Sequence, residues 1–218
     1  MEVNGASECK SDSVDNGSSE SHKYYLSRKT ILEMLKDRGY AVPSSDIQMS
    51  LKDFRDKYGP KPDSDALKIS ALHKNNPSDR ILVIFLGQHM VKVNSVRVIA
   101  AQIMNKETLN RLILIVENKM TSQAQKALLA FSFKVETFNI LDLLVNITKH
   151  ALKPKHRVLT DKEKQALLKK FDVEEKQLPR MLQNDAISRY YGLEKGQVLE
   201  VTYNGEVTGL HVTYRCVW

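Results

Sequence analysis

The sequence predicts two domains: a larger α/β layer structure with a mostly parallel central sheet, then a small α+β domain. Three observations carry this expectation. Ile81–Leu86 and Leu112–Val116 are uninterrupted apolar runs, with a helical stripe of Val96, Ile99, Ala100, Ile103 and Met104 between them. Continuous runs suit strands covered on both faces, and strand–helix–strand alternation builds a parallel sheet. A basic break at Lys149–Arg157, containing Pro154, then separates this pattern from one of capped helices and alternating strands.

Residues 1–22 are rich in Ser, Asp, Glu, Asn and Gly and nearly lack large apolar side chains. Such a tract cannot bury enough surface to offset its ordering entropy, so a disordered acidic tail is expected. Ser21 reads as an N-cap for a helix in which Tyr24, Tyr25, Arg28, Ile31, Leu32 and Leu35 recur, with Gly39 as its stop. Ser50 and Asp53 cap a helix over Leu51–Tyr58, which Gly59-Pro60 ends. Leu67, Ile69 and Ala71 alternate as a half-buried strand, and Asn75-Asn76-Pro77 reads as a turn. After Val116 a polar loop leads to a helix over Ala124–Ala130 and a strand over Phe133–Phe138.

Beyond the break, Thr160 and Glu163 form a capping box for a helix reaching about Lys170. Leu178-Pro179 interrupts, Asp185 caps a short helix through Tyr191, and Gly192 stops it. Gly196 turns into a strand over Val198–Tyr203, Asn204-Gly205 signals a hairpin, and a last strand covers His211–Val217. On that strand Val212, Tyr214, Cys216 and Trp218 share one face. The expected division is tail 1–22, first domain 23–148, linker 149–158 and second domain 159–218.

Charge narrows the choice of partner. The 218 residues carry +7 overall, but residues 1–22 hold five acids against Lys10 alone, net −4, so the remainder holds +11. A basic body suits a polyanion such as DNA or RNA, and equally a solvated lysine-rich surface. No apolar run approaches the ~20 residues that span a bilayer, and no secretory signal is expected. Cys9 and Cys216 stand far apart, so no disulfide framework is expected and a reducing cytosolic or nuclear compartment is favoured.

Among chemical patterns, Pro62-Asp63 with Glu117-Asn118-Lys119 has the form of a Mg²⁺-dependent nuclease, two carboxylates for the metal and a lysine for the attacking water. Two whole apolar segments separate its halves, whereas that motif straddles adjacent strands. The ordinary alternative is a turn proline with surface charges. The histidines (His22, His73, His89, His150, His156, His211) show no i,i+4 pairing and no cysteine neighbour, so no zinc site is expected. Neither a glycine-rich phosphate loop nor a Gly-x-Ser-x-Gly elbow occurs. The loop Asn118–Ser122 leaves two readings open. Lys119, Thr121, Ser122 and Lys126 form a phosphate-binding set at a helix start, or Thr121 or Ser122 is a plain N-cap.

The C-terminal third carries a more specific pattern: Gln177-Leu178-Pro179-Arg180, then Asp185 through Val198 (DAISRYYGLEKGQV), then Val212-Thr213-Tyr214-Arg215. With Met34–Tyr40, Asn118–Thr121, Leu144–His150 and Pro154–His156, it closely resembles the fifth subunit of eukaryotic nuclear RNA polymerases, a family with an archaeal counterpart. The resemblance spans residues 24–218. It implies an α/β jaw domain with a nuclease-like central sheet, a C-terminal assembly domain shared with archaea, no catalytic residues, no metal and no cofactor. It also implies docking on the largest polymerase subunit beside downstream double-stranded DNA in the nucleus. On this basis Lys119, Thr121, Ser122 and Lys126 are expected to meet DNA phosphates. Pro179, Arg180, Arg189, Tyr190, Tyr191, Gly192 and Arg215 are expected to meet the largest subunit.

Departures from the form shared by polymerases I, II and III refine this. The shared form carries Asp-Pro at Asp185-Ala186, Thr-Pro at Thr121-Ser122, and a Lys-Ile-Ile-Arg strand around Leu199–Tyr203. With the acidic extension and the altered segment 205–211, the chain is most similar to the plant paralogues of RNA polymerase V. That resemblance implies work in RNA-directed DNA methylation and gene silencing.

Overall fold

The computed structural model of the chain describes residues 19–87, 90–103, 109–150, 152–205 and 209–218. The tail expectation for residues 1–18 and the helical place given to Met104 lie outside them. From Ser19 the chain is helical, so the last four residues of the expected tail are the first turn of α1 (Ser19–Asp37). Ser21 is no cap. It is fully buried inside that turn, where its hydroxyl accepts a hydrogen bond from Arg55 Nε at 2.9 Å.

The first sheet runs in the order β1 (Ile69–Leu72), β2 (Arg80–Phe85), β3 (Leu109–Val116), β4 (Lys134–Asn139). β1 is antiparallel to β2, and β2, β3 and β4 are parallel. The continuous apolar runs are explained by cover on both faces. Ile81, Val83, Phe85, Ile113 and Ile115 face α1, whose Ile31, Leu32, Met34 and Leu35 are buried against them. Ile84, Leu112, Leu114 and Val116 face α4 (Val93–Gln102) and α5 (Ser122–Leu128). Such two-sided burial is what a crossover-built parallel sheet requires. Phe54, on α3 (Leu51–Tyr58), joins the α1 side, and the Ser50–Asp53 capping box and the stop at Gly59 (φ 78°) stand as expected. The short α2 (Ser44–Gln48) carries no sequence signal.

The second sheet runs in the order β5 (Lys155–Val158), β7 (Val198–Gly205), β8 (Gly209–Val217), β6 (Arg180–Met181). β5 corrects the linker expectation: part of residues 149–158 is a strand paired antiparallel to β7. α6 (Asp161–Phe171) has the Thr160–Glu163 box and buries Leu167 beside Val198 and Cys216. On the other face Leu199 and Val217 pack with Met181 and Leu193, under α7 (Ala186–Tyr191). Of the four side chains expected to share a face of β8, Cys216 is buried, while Val212 and Trp218 remain 37% and 38% exposed. No described helix is long and apolar enough to cross a membrane.

Leu112 sits fully buried at the centre of the first sheet and Leu129 is 86% exposed. Leu112→Ala is expected to cost about 2–5 kcal/mol in urea unfolding, whereas Leu129→Ala should stay within about 0.5 kcal/mol of the parent.

Candidate assembly and nucleic-acid interfaces

α7 is short, and its end is where the two domains meet. Asp185 caps its start by accepting from Ile187 N at 2.8 Å. At its end Gly192 takes φ 64°, with Gly192 N–H donating to Arg189 O at 3.0 Å and Leu193 N–H to Ser188 O at 2.9 Å. The carbonyls there point into the first domain. Arg38 donates through Nε to Tyr190 O at 2.8 Å and through Nη2 to Arg189 O at 2.7 Å. Arg111 Nη1 reaches Gly192 O at 3.0 Å, and Lys134 Nζ reaches it at 3.3 Å. Cations at a helix C-terminus complement both the unpaired carbonyls and the negative end of the dipole.

Two carboxylates hold these cations in place. Glu136 accepts from Arg38 Nη2 at 2.7 Å and Nη1 at 3.2 Å, and from Arg111 Nη1 at 3.3 Å. Burial alone would push its carboxyl up. The Arg38 charge and hydrogen bonds, followed by Lys134 and Arg111, outweigh that and hold it below its ordinary 4.5. Glu194 then bridges Arg111 at 3.1 Å and Lys134 at 3.2 Å.

Most of the expected assembly residues are used in this junction. Arg189 donates to Thr137 O at 2.7 Å and lies 4.6 Å over the Phe138 ring. Tyr190 is 4% exposed and donates to Asp37 Oδ2 at 2.8 Å, while Asn146 Nδ2 donates both to the Tyr190 hydroxyl and to Glu33. Tyr191 is half-buried beneath Lys153. Pro179, Arg180 and Arg215 lie elsewhere, at the outer side of the second sheet. Arg180 is exposed and stacks 4.5 Å from the Trp218 ring. Pro179 and Arg215 line a hollow of about 620 Å³ with Tyr203, His211, Thr213 and Tyr214. Arg111, Lys134 and Glu136 had no sequence signal beyond their position. They are charged residues in the first halves of β3 and β4, in register as Arg111↔Lys134 and Ile113↔Glu136.

The set expected to meet nucleic acid is partly committed. Thr121 is an N-cap whose hydroxyl accepts from Ala124 N at 3.2 Å, and its own N–H donates to Val91 O. Lys119, Ser122 and Lys126 are exposed. The nuclease pattern is also committed: Glu117 accepts from Lys23 Nζ at 2.7 Å on one oxygen and from the Tyr24 hydroxyl on the other. Burial, then the Glu117 carboxylate, keeps the Tyr24 hydroxyl protonated well past its ordinary range. Asp63 is exposed and accepts from Asp65 N at 3.1 Å. Among the described residues no three His, Cys, Asp or Glu side chains gather as a metal site.

Two consequences can be measured. A carboxyl with a lowered native pKa stabilises the fold above the ordinary carboxylate range, and that stability is lost as pH falls through the native value. Glu136→Gln should therefore cost on the order of 3 kcal/mol at pH 7. Its unfolding free energy should also fall less than the parent's between neutral and acid pH. At Gly192 a Cβ would stand 2.8 Å from Arg38 Nη1 and 2.9 Å from its Cζ, at positive φ. Gly192→Ala is expected to cost about 1–2 kcal/mol, and Gly192→Val more, as read from thermal midpoints.

Comparison with known proteins gives the same pattern along the whole chain. The model of the RNA polymerase Rpb5 N-terminal domain matches residues 18–103, and that of the RNA polymerase Rpb5 C-terminal domain matches residues 145–217. DNA-directed RNA polymerase V subunit 5A of Arabidopsis thaliana is 56% identical, with 100% of both chains covered. DNA-directed RNA polymerases IV and V subunit 5B of the same plant is 55% identical, again over 100% of each. The RPABC1 subunit of DNA-directed RNA polymerases I, II and III from Caenorhabditis elegans is 34% identical, over 91% of this chain and 97% of its own. This chain belongs to the RNA polymerase Rpb5 family.

Proposed function

We propose that the chain is a non-catalytic subunit of nuclear RNA polymerase V, acting in RNA-directed DNA methylation and transcriptional silencing. The observation that carries this reading is the identity gradient. Identity is 56% and 55% over the whole chain to the polymerase V and the IV and V subunits, and 34% over 91% of it to the subunit shared by polymerases I, II and III. A subunit shared by three enzymes fits several partners at once, and release from that constraint accounts for the divergence. The engagement of both Glu117 oxygens by Lys23 and Tyr24 supports a non-catalytic role over a free nuclease.

Within the polymerase, the first domain acts as the nuclease-like jaw beside downstream double-stranded DNA, and the second docks on the largest subunit. The exposed Lys119, Ser122 and Lys126 meet phosphates there, while Thr121 serves by fixing the loop. Pro179, Arg180 and Arg215 contribute to docking directly. Arg189, Tyr190, Tyr191 and Gly192 contribute by holding the two domains in their relative orientation.

Affinity purification of the tagged full chain from plant nuclear extract tests the reading, with the co-purifying largest subunit identified by mass spectrometry. The polymerase V largest subunit is the expected partner; recovery of those of polymerases I, II and III in its place would overturn it. In the purified enzyme, Lys119→Ala with Lys126→Ala should weaken DNA binding evenly across sequences. The slope of log affinity against log salt should fall by about one unit for each phosphate no longer neutralised.

A further inference from the structure

β8 spans Gly209–Val217, but β6 covers its outer side only opposite Cys216 and Val217. Among the described residues no strand pairs with the rest of that side. The hydrogen bonds at the covered end give the direction of the uncovered groups. Cys216 N–H donates to Pro179 O at 2.8 Å and Trp218 N–H to Met181 O at 2.9 Å, away from β7. Val217 N–H donates the other way, to Gln197 O at 2.9 Å. Main-chain groups alternate sides along a strand, and the β7–β8 register is unbroken from Val198↔Cys216 to Gly205↔Gly209. The N–H and C=O groups of Leu210, Val212 and Tyr214 therefore point to the open edge.

The geometry points to an added strand at this edge: an extended segment of another polymerase subunit, with acidic and apolar residues in alternation. This rests on the polymerase-subunit reading and specifies where and how such a partner binds. A strand laid along β8 sends successive side chains to opposite faces of the sheet. On one face they enter the hollow of about 620 Å³ lined by Tyr203, His211, Thr213 and Arg215. Arg215 has no ion-pair partner among the described residues, so a carboxylate is the complement. On the other face they meet Leu210, 72% exposed, and Val212, 37% exposed, beside Tyr214 and the half-exposed Phe171 ring 6.2 Å from it. Main-chain pairing supplies affinity and the two linings supply choice. The lane ends at Pro179, where β6 begins, and offers roughly 20 Å of edge.

Residue-resolved amide hydrogen exchange tests this, on the isolated full chain and on polymerase purified through the tagged chain. The Val212 and Tyr214 amides should slow by roughly 100-fold on assembly, while those of His211 and Thr213, which face β7, are slow in both. Val212→Pro removes an edge-facing N–H and no β7 bond. It should lower recovery of the largest subunit after a high-salt wash by about tenfold. Unchanged exchange at Val212 and Tyr214 in a polymerase that does assemble overturns the added strand alone, whatever the proline variant does. A parent chain that recovers no polymerase subunit overturns the polymerase reading and the edge with it. Slowing in the isolated chain as its concentration rises makes the occupant a second copy and also overturns the proposal.

Discussion

The last turn of α7 is completed in part by the other domain, and the placement of the two domains depends on that contact. Gly192 releases the helix into Leu193, and the carbonyls of Arg189, Tyr190 and Gly192 are left facing Arg38, Arg111 and Lys134. Three cations around one short helix end would repel one another without an anion among them. Glu136 supplies it, nearly buried, within β4. The Arg38 side chain is 3% exposed, so its charge is compensated here or not at all. The end of α1 makes this possible: Asp37, its last residue, takes the Tyr190 hydroxyl, and Arg38, just beyond it, takes the Tyr190 carbonyl. A helix whose apolar face forms the first domain's core thus also sets where the second domain sits.

This explains which parts of the chain were legible in sequence. The parallel strands were, because burial on both faces makes Ile81–Phe85 and Leu112–Val116 apolar at every position. The capping boxes at Ser50 and Thr160 and the stop at Gly192 were, because each is satisfied within a few residues. β5 and β6 were not. Each is short, and each exists only through a partner far along the chain: Lys155–Val158 through β7, Arg180–Met181 through β8. Lys155-His156-Arg157 reads as a basic linker until Val201 and Glu200 lie opposite it.

The candidate sites were legible as chemistry and less so as destination. Planar guanidinium forks and amphipathic rings suit any interface, within a chain or between chains. Arg189 and Tyr190 therefore look alike in sequence whether they meet Phe138 and Asp37, as they do, or another subunit. Thr121 and Glu117 illustrate the same point. A hydroxyl at a helix start and a carboxylate after an apolar strand each had a demanding reading and an ordinary one, and bonds to Ala124 N, and to Lys23 and Tyr24 far along the chain, occupy them.

The charge of the body then takes on a different meaning. Excluding residues 1–22, the chain holds +11, yet Arg38, its most deeply placed paired cation, is spent on Glu136 and on carbonyls at the junction, and Arg28 on Asp46. Others pair at the surface: Arg157 with Glu163 and Glu200, Lys164 with Glu175. What remains for an outside partner includes the exposed lysines around the α5 loop, and Arg180 and Arg215 beside the outer strand. Net charge counts both kinds equally and so overstates the free basic surface. What distinguishes them is geometry: a cation aimed at a helix end inside the molecule builds the scaffold, and one left beside an open edge is available for assembly.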